Sequence, residues 1–213
     1  MHDLQKIISI DPVNPEPDII LHAGKILAAD GVVIFSAKCL YGIAVHALHT
    51  RAIERVFQLK NRPQSNPILV LVKDKEMLNT LVTHIPQSAE RLMDIFWPGN
   101  LTLVFNARNH IPTRLTAGTG KIGIRIPAHP VARALVEHLT FPITGTSANL
   151  SGEKGCTKIE QLAPSIIKHS DLILDAGPVK GGKGSTIVDV TKKNIRVLRE
   201  GEILTEHIKK VLA

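Results

Sequence analysis

Thr50-Arg51-Ala52-Ile53-Glu54-Arg55-Val56-Phe57-Gln58-Leu59-Lys60-Asn61-Arg62-Pro63-Gln64-Ser65-Asn66-Pro67-Ile68-Leu69-Val70-Leu71-Val72 passes from one periodicity to another within a single stretch. Ile53, Val56, Phe57 and Lys60 recur at helical spacing, and Thr50 is of a type that caps helices. Ile68 to Val72 is a continuous apolar run of strand length. Pro63 and Pro67 stiffen the loop between them. Lys60 therefore falls at the C-terminal end of a helix, and Arg62 lies just beyond it. Helix, rigid basic loop and buried strand in succession point to a chain that mixes both kinds of element.

The flanks repeat the mixture. Ile19, Ile20, Ala23, Ile26 and Leu27 form a helical stripe over 18–29, which Gly31 can end. Val32 to Phe35 reads as a buried strand, and the Pro-rich segment through Pro17 as extended. After Tyr41-Gly42 the chain is expected to turn helical. Further helices are expected over 88–96, 131–139, 157–168 and 205–212. Strands are expected over 101–105, 122–126, 142–146, 171–175, 185–191 and 195–198. No Gly/Ser linker and no repeat divides the chain. The expectation is one α/β (α+β) domain over 1–213, with 1–17 as an extended N-terminal segment, on a twisted mixed sheet.

Composition narrows the function. Of 213 residues, 44% are hydrophobic and 21% charged, as in ordinary globular proteins. The net charge of +7 favours anionic partners such as nucleotides, RNA or phosphates over a merely basic surface. Aromatics make up only 3%, so base stacking is not an evident mode of binding. Two cysteines, Cys39 and Cys156, are too few for a disulfide framework and fit a reducing cytosol. No signal peptide opens the chain, and no segment approaches the roughly 18 apolar residues of a membrane span. A cytoplasmic protein without a membrane partner is expected.

Two segments carry candidate chemistry. Lys60 offers a point charge and Arg62 a planar fork for phosphate oxygens, although a helix-end Lys also complements the helix dipole. Ser147 and Asn149 present a hydroxyl and an amide after the strand at 142–146. They suit a ligand at a strand's C-terminal edge, or a cap on the next turn. Gly177-Pro178-Val179-Lys180-Gly181-Gly182-Lys183-Gly184-Ser185 nearly spells a Walker A motif. Gly184 stands where that motif needs Ser or Thr, and the segment runs into a strand, so a mobile basic flap is the better reading. His46 and His49 lack further ligand-type neighbours and read as packing or surface residues, so no protein metal site is expected. Asp175 and Asp189 read as strand-end caps. No Gly-x-Ser-x-Gly elbow supports hydrolase chemistry.

Taken in order, the motifs resemble the YrdC/TsaC family of threonylcarbamoyl-AMP synthases. The segments are Gly31-Val32-Val33-Ile34-Phe35 with Tyr41-Gly42-Ile43, Lys60-Asn61-Arg62-Pro63 with Ser65-Asn66-Pro67, and Trp97-Pro98-Gly99-Asn100-Leu101-Thr102-Leu103. Ile122-Gly123-Ile124-Arg125-Ile126-Pro127, Ser147-Ala148-Asn149-Leu150-Ser151-Gly152 and Ser185-Thr186-Ile187-Val188-Asp189 with Arg199-Glu200-Gly201 follow. The resemblance implies a YrdC-like fold around a large basic cavity, of the short single-domain type. It implies a nucleotidyltransferase that joins L-threonine, bicarbonate and ATP into threonylcarbamoyl-AMP and releases pyrophosphate. The product would feed threonylcarbamoyladenosine formation on tRNA through a downstream transfer complex, with direct binding of tRNA or double-stranded RNA a further option.

By the same resemblance, Lys60, Arg62, Asn66 and Arg199 would hold ATP, with magnesium accompanying the triphosphate. Ser147 and Asn149 would position the nucleotide and the reacting carbonyl end. Arg125 would face the threonine carboxylate, and Cys39, Thr144 and Ser185 would lie beside threonine. The chain departs from the pattern where the family has Pro-Thr-acidic-Thr. Here Ser36-Ala37-Lys38-Cys39 lacks two hydroxyls and reverses a charge, and Leu71 replaces a commonly polar residue. That keeps two alternatives in view: adenylation of a different carbamate, and a non-catalytic RNA-binding relative.

Overall fold

The apolar stripes that mark the helices are the faces the structure buries. In the computed structural model, which describes residues 6–213, α1 (Pro17–Ala28) turns Ile20, Ala23, Gly24 and Leu27 inward. Pro17 opens it where a missing N–H costs nothing. α2 (Thr50–Lys60) buries Ala52, Ile53, Val56 and Phe57. Thr50 is its first helical residue and His49 takes the cap position without a side-chain bond, so the expected Thr cap is not made. Asn61 ends the helix with φ 48°, a left-handed conformation that Asn tolerates better than most residues.

α3 (Lys75–Leu81), not foreseen from the sequence, is capped by Asp74, which accepts from the Met77 amide. α4 (Gln87–Phe96), α5 (Pro130–His138) and α7 (Thr205–Leu212) lie where the periodicity put them. The expected helix over 157–168 is instead a 3-10 turn at Ile159–Gln161 followed by α6 (Pro164–His169). Pro164 cannot continue a helix from its N-terminal side and starts a new one.

Two mixed sheets, rather than one, form the frame. The first contains β1 (Ile7–Ser9), β2 (Val33–Ser36), β3 (Tyr41–Ala44), β8 (Thr146–Ser147) and β9 (Leu172–Asp175), in the order β1-β9-β2-β3-β8. β1 lies in the segment expected to be merely extended and pairs in parallel with β9. β3, not foreseen from the sequence, precedes the helix expected after Tyr41-Gly42, which is α2, and forms an antiparallel hairpin with β2. The second sheet contains β4 (Val70–Leu71), β5 (Leu101–Asn106), β6 (Lys121–Arg125), β7 (Ile143–Thr144), β10 (Thr186–Asp189) and β11 (Arg196–Arg199), in the order β11-β10-β5-β6-β4-β7.

The segment expected as one strand over 142–146 belongs to both sheets. Ile143–Thr144 pairs with β4, and Thr146–Ser147 pairs with β3. Gly145 makes the handover, donating its amide to Leu69 O at 2.9 Å. A Cβ there would stand 2.8 Å from Leu71 Cγ. Leu71, noted above as a departure from the resembled family's commonly polar residue, fills the space under this glycine. Two apolar clusters flank the sheets, and each takes residues from both: Ile34 and Ile43 with Leu103 and Ile124 in one, Val33 and Phe35 with Leu71 and Ile143 in the other. No described helix is long and apolar enough to cross a membrane.

Candidate active site

The hairpin loop at 37–40, the loop that follows α2 and the inner edges of the two sheets form a cavity of about 310 Å³. Lys38, Arg62, Arg125 and Arg199 line it, and no Asp or Glu does. Each arginine is held by neutral oxygens. Arg62 Nε donates to Asn66 O at 3.0 Å and a terminal nitrogen to Pro67 O at 2.7 Å. Arg199 donates to Ser185 O at 2.8 and 3.3 Å. Arg125 Nη1 donates to Asn100 Oδ1 at 3.2 Å, while its buried Nε has no partner among the described residues.

Arg55, Arg114 and Arg133 each pair with a carboxylate elsewhere on the molecule. Among the described residues the three cavity arginines have none. Burial pushes all three guanidinium groups below their ordinary range, Arg125 to about 10 with Arg199 adding to the push. Arg62 and Arg125 are half-buried and Arg199 is exposed, so the first two carry most of the cost of a desolvated charge without a partner, which a bound anion would offset.

The remaining expected residues divide between the cavity and its supports. Cys39, Ser147 and Ser185 line it. Ser185 Oγ sits 2.8 Å from Thr102 Oγ1. Lys60, Asn66, Thr144 and Asn149 do not line it. Lys60 is only 2% exposed, and its ammonium donates to Ser147 O, to Asn149 O at 2.6 Å and to Asn149 Oδ1 at 3.4 Å. Burial, reinforced by Arg62, lowers it to about 7. Asn149 Nδ2 donates to Leu150 O and Glu153 O, both at 2.7 Å, which is the turn-capping alternative raised from the sequence. Asn66 contributes its carbonyl to Arg62. Thr144 is fully buried, where it had been expected beside the substrate. Its hydroxyl accepts from Val45 N and donates to Ile43 O, stitching β7 to the end of β3.

Asn100 and Glu202 are participants that sequence reasoning missed. Glu202 follows β11 and reaches Lys38 Nζ at 2.5 Å and Asn100 Nδ2. Asn100 had a signal, as a polar residue between Pro98-Gly99 and a buried strand. Glu202 had none, because its partner lies 164 positions away. The Gly177–Ser185 segment is coil that runs into β10 and opens no helix, and its Gly184 and Ser185 line the cavity. His46 is buried, and its ring stacks on His49 at 3.6 Å and on Phe141 at 3.9 Å. Asp175 and Asp189 bond amides just beyond their own strands, as caps. No group of three metal-type side chains occurs among the described residues.

The Sua5/YciO/YrdC family model, described as "Telomere recombination", matches residues 25–201. A threonylcarbamoyl-AMP synthase of Pyrococcus abyssi (strain GE5 / Orsay) is 35% identical over 181 residues, covering 85% of this chain and 53% of that protein. The uncharacterized protein YciO of Escherichia coli (strain K12) is 30% identical over 200 residues, covering 93% of this chain and 96% of that one. The crystal structure of P. abyssi Sua5 complexed with L-threonine superposes with a TM-score of 0.92 at 33% identity, over 97% of this chain and 60% of that one. The chain thus spans little more than half the length of the synthase it resembles.

Proposed function

The chain belongs to the Sua5/YciO/YrdC family, and on that premise we propose that it joins L-threonine, bicarbonate and ATP into threonylcarbamoyl-AMP. The product serves threonylcarbamoyladenosine formation on tRNA in the cytosol. The observation that carries this reading is the cavity itself: four cationic side chains, three of them guanidinium groups without a carboxylate partner among the described residues, around a space lined by no acid. A triphosphate and a carboxylate or carbamate are the anions that such a space suits. The synthase activity and the bound threonine named for the P. abyssi relatives support the choice of substrates.

The chemistry is adenylation by positioning. Bicarbonate and the free amine give a carbamate and water. A carbamate oxygen then bonds the α-phosphorus as the bond to the bridging oxygen breaks, and pyrophosphate leaves with that electron pair. Arg62 and Arg199 hold the phosphates and stabilise the charge that develops on the leaving group. Arg125 takes the amino-acid carboxylate from the cavity wall. Ser147 and Ser185 hydrogen-bond the nucleotide and the reacting end, with Lys60, Asn66 and Asn149 as positioning residues that fix Ser147 and Arg62. Magnesium fits as an ion carried by phosphate oxygens and water, since the lining offers it no carboxylate.

The test incubates the protein with ATP, magnesium, bicarbonate and threonine, and follows pyrophosphate and the adenylate by mass spectrometry. Threonine-dependent product, reduced by about 100-fold or more in Arg62→Ala, is expected. ATP binding with no adenylate from any amino acid would overturn the reading.

A further inference from the structure

The three cavity arginines are not held alike. Arg62 and Arg199 rest chiefly on main-chain carbonyls, those of Asn66, Pro67 and Ser185. Arg125 rests on a side chain: among the described residues its one acceptor is Asn100 Oδ1, at 3.2 Å. A main-chain carbonyl keeps its direction as long as the strand does. A side-chain amide turns about its own bonds, and its two ends are alike in shape but opposite in sense.

Glu202 settles that direction. Asn100 Nδ2 donates to Glu202 Oε2. A carboxylate only accepts and a guanidinium only donates, so the amide between them has one consistent orientation. The other polar atom near Nδ2 is Cys39 Sγ, at 3.9 Å, a weak partner in either sense. Hydrogen bonds in a chain polarise one another, so the ionised acceptor at Nδ2 also strengthens the bond from Arg125 to Oδ1.

Glu202 is itself held twice. Lys38 Nζ reaches Oε1 at 2.5 Å, and the Glu202 amide donates to Gly184 O at 3.1 Å. The Lys38 bond keeps the carboxyl below the ordinary glutamate range, so it remains an acceptor at neutral pH. Both side chains of the Lys38–Glu202 pair are partly exposed, and such a pair contributes little to stability. Its effect is on geometry. Glu202 does not line the cavity, whereas Asn100 and Arg125 do.

We propose that Glu202 is a positioning residue of the amino-acid subsite, clamping the Asn100 amide so that Oδ1 holds Arg125 toward the amino-acid carboxylate. The inference rests on the synthase reading given above. Its test measures kcat and KM for threonine and for ATP by pyrophosphate release, in the native protein, Glu202→Ala, Asn100→Ala and the double variant. Melting curves check that each variant folds. Glu202→Ala is expected to raise KM for threonine by about tenfold and to leave KM for ATP as it is. Since Glu202 acts through Asn100, adding Glu202→Ala to Asn100→Ala should change nothing further. Glu202→Gln keeps an oxygen that accepts from Asn100 and should recover most of the loss.

A folded Glu202→Ala with an unchanged KM for threonine, or with equal losses for threonine and ATP, overturns the inference. So do additive losses in the double variant, or a Glu202→Gln no better than Glu202→Ala. Each of these leaves the synthase reading intact. A native protein that releases no threonine-dependent pyrophosphate overturns that reading and this inference together.

Discussion

Lys60 Nζ has all three of its acceptors on Ser147 and Asn149, which makes one buried ammonium the tie between the end of α2 and the loop that carries Ser147 into the cavity. The same burial makes the tie sensitive to pH. In the folded chain Lys60 gives up its proton near 7, and in the unfolded chain near the usual Lys value of about 10.4. Between those values the unfolded chain binds more protons, so stability rises with pH. Below about 7 both states keep the proton and the contribution is flat at its least favourable level. The slope is at most about 1.4 kcal/mol per pH unit. Urea unfolding of the protein and of Lys60→Met from pH 6.5 to 9 is the measurement. The native protein should gain on the variant as pH rises. A constant difference would mean that Lys60 keeps its proton throughout and that the charged tie persists.

At the scale of elements, the short segment from Ile143 to Ser147 does most to shape the site, because it joins one sheet to the other across Gly145. Substituting Gly145→Ala would push a methyl to within 2.8 Å of Leu71 Cγ, deep in the second core cluster. Overpacking of this kind costs about 1–3 kcal/mol. Because Ser147 follows two residues later, threonine-dependent pyrophosphate release should fall as well. Denaturant midpoints and kcat/KM for the variant would check both, and a variant that matches the native protein in each would refute the steric argument.

The sequence could not show this handover. The five residues Pro142-Ile143-Thr144-Gly145-Thr146 read as one short strand, and only tertiary pairing reveals that its halves serve different sheets. β3 was hidden for a related reason: Tyr41, Gly42, Ile43 and Ala44 are all buried, so no polar alternation marks a strand. By contrast, α1, α4, α5 and α7 expose one face to water and were legible from their periodicity. Arg62 stood out in the sequence itself and Arg125 and Arg199 through the family resemblance, and the structure gathers the three in one cavity. Lys60 and Asn149 read the same way but turned inward, since a motif carries residue types and not side-chain directions.

For the whole molecule, the two apolar clusters each draw on both sheets, and the cavity takes its wall from both. We infer that the chain folds as one domain whose sheets cannot unfold separately. The sequence supplies the probes. Its single tryptophan, Trp97, bonds Leu101 O at 2.7 Å where the second sheet begins β5. Its single tyrosine, Tyr41, opens β3 in the first sheet and bonds Gly177 O at 2.7 Å. Tryptophan fluorescence and tyrosine second-derivative absorbance therefore report on different sheets. Their urea transitions should coincide, as a two-state unit requires. A ligand that binds only the folded form adds about 2.7 kcal/mol at a hundredfold excess over its Kd. ATP with magnesium should accordingly move both midpoints upward by the same amount, and added salt should shrink that shift because the site is cationic. Separate midpoints would divide the chain into two units. A shift confined to the tryptophan signal would put the nucleotide on the second sheet alone, away from Ser147 and the hairpin loop.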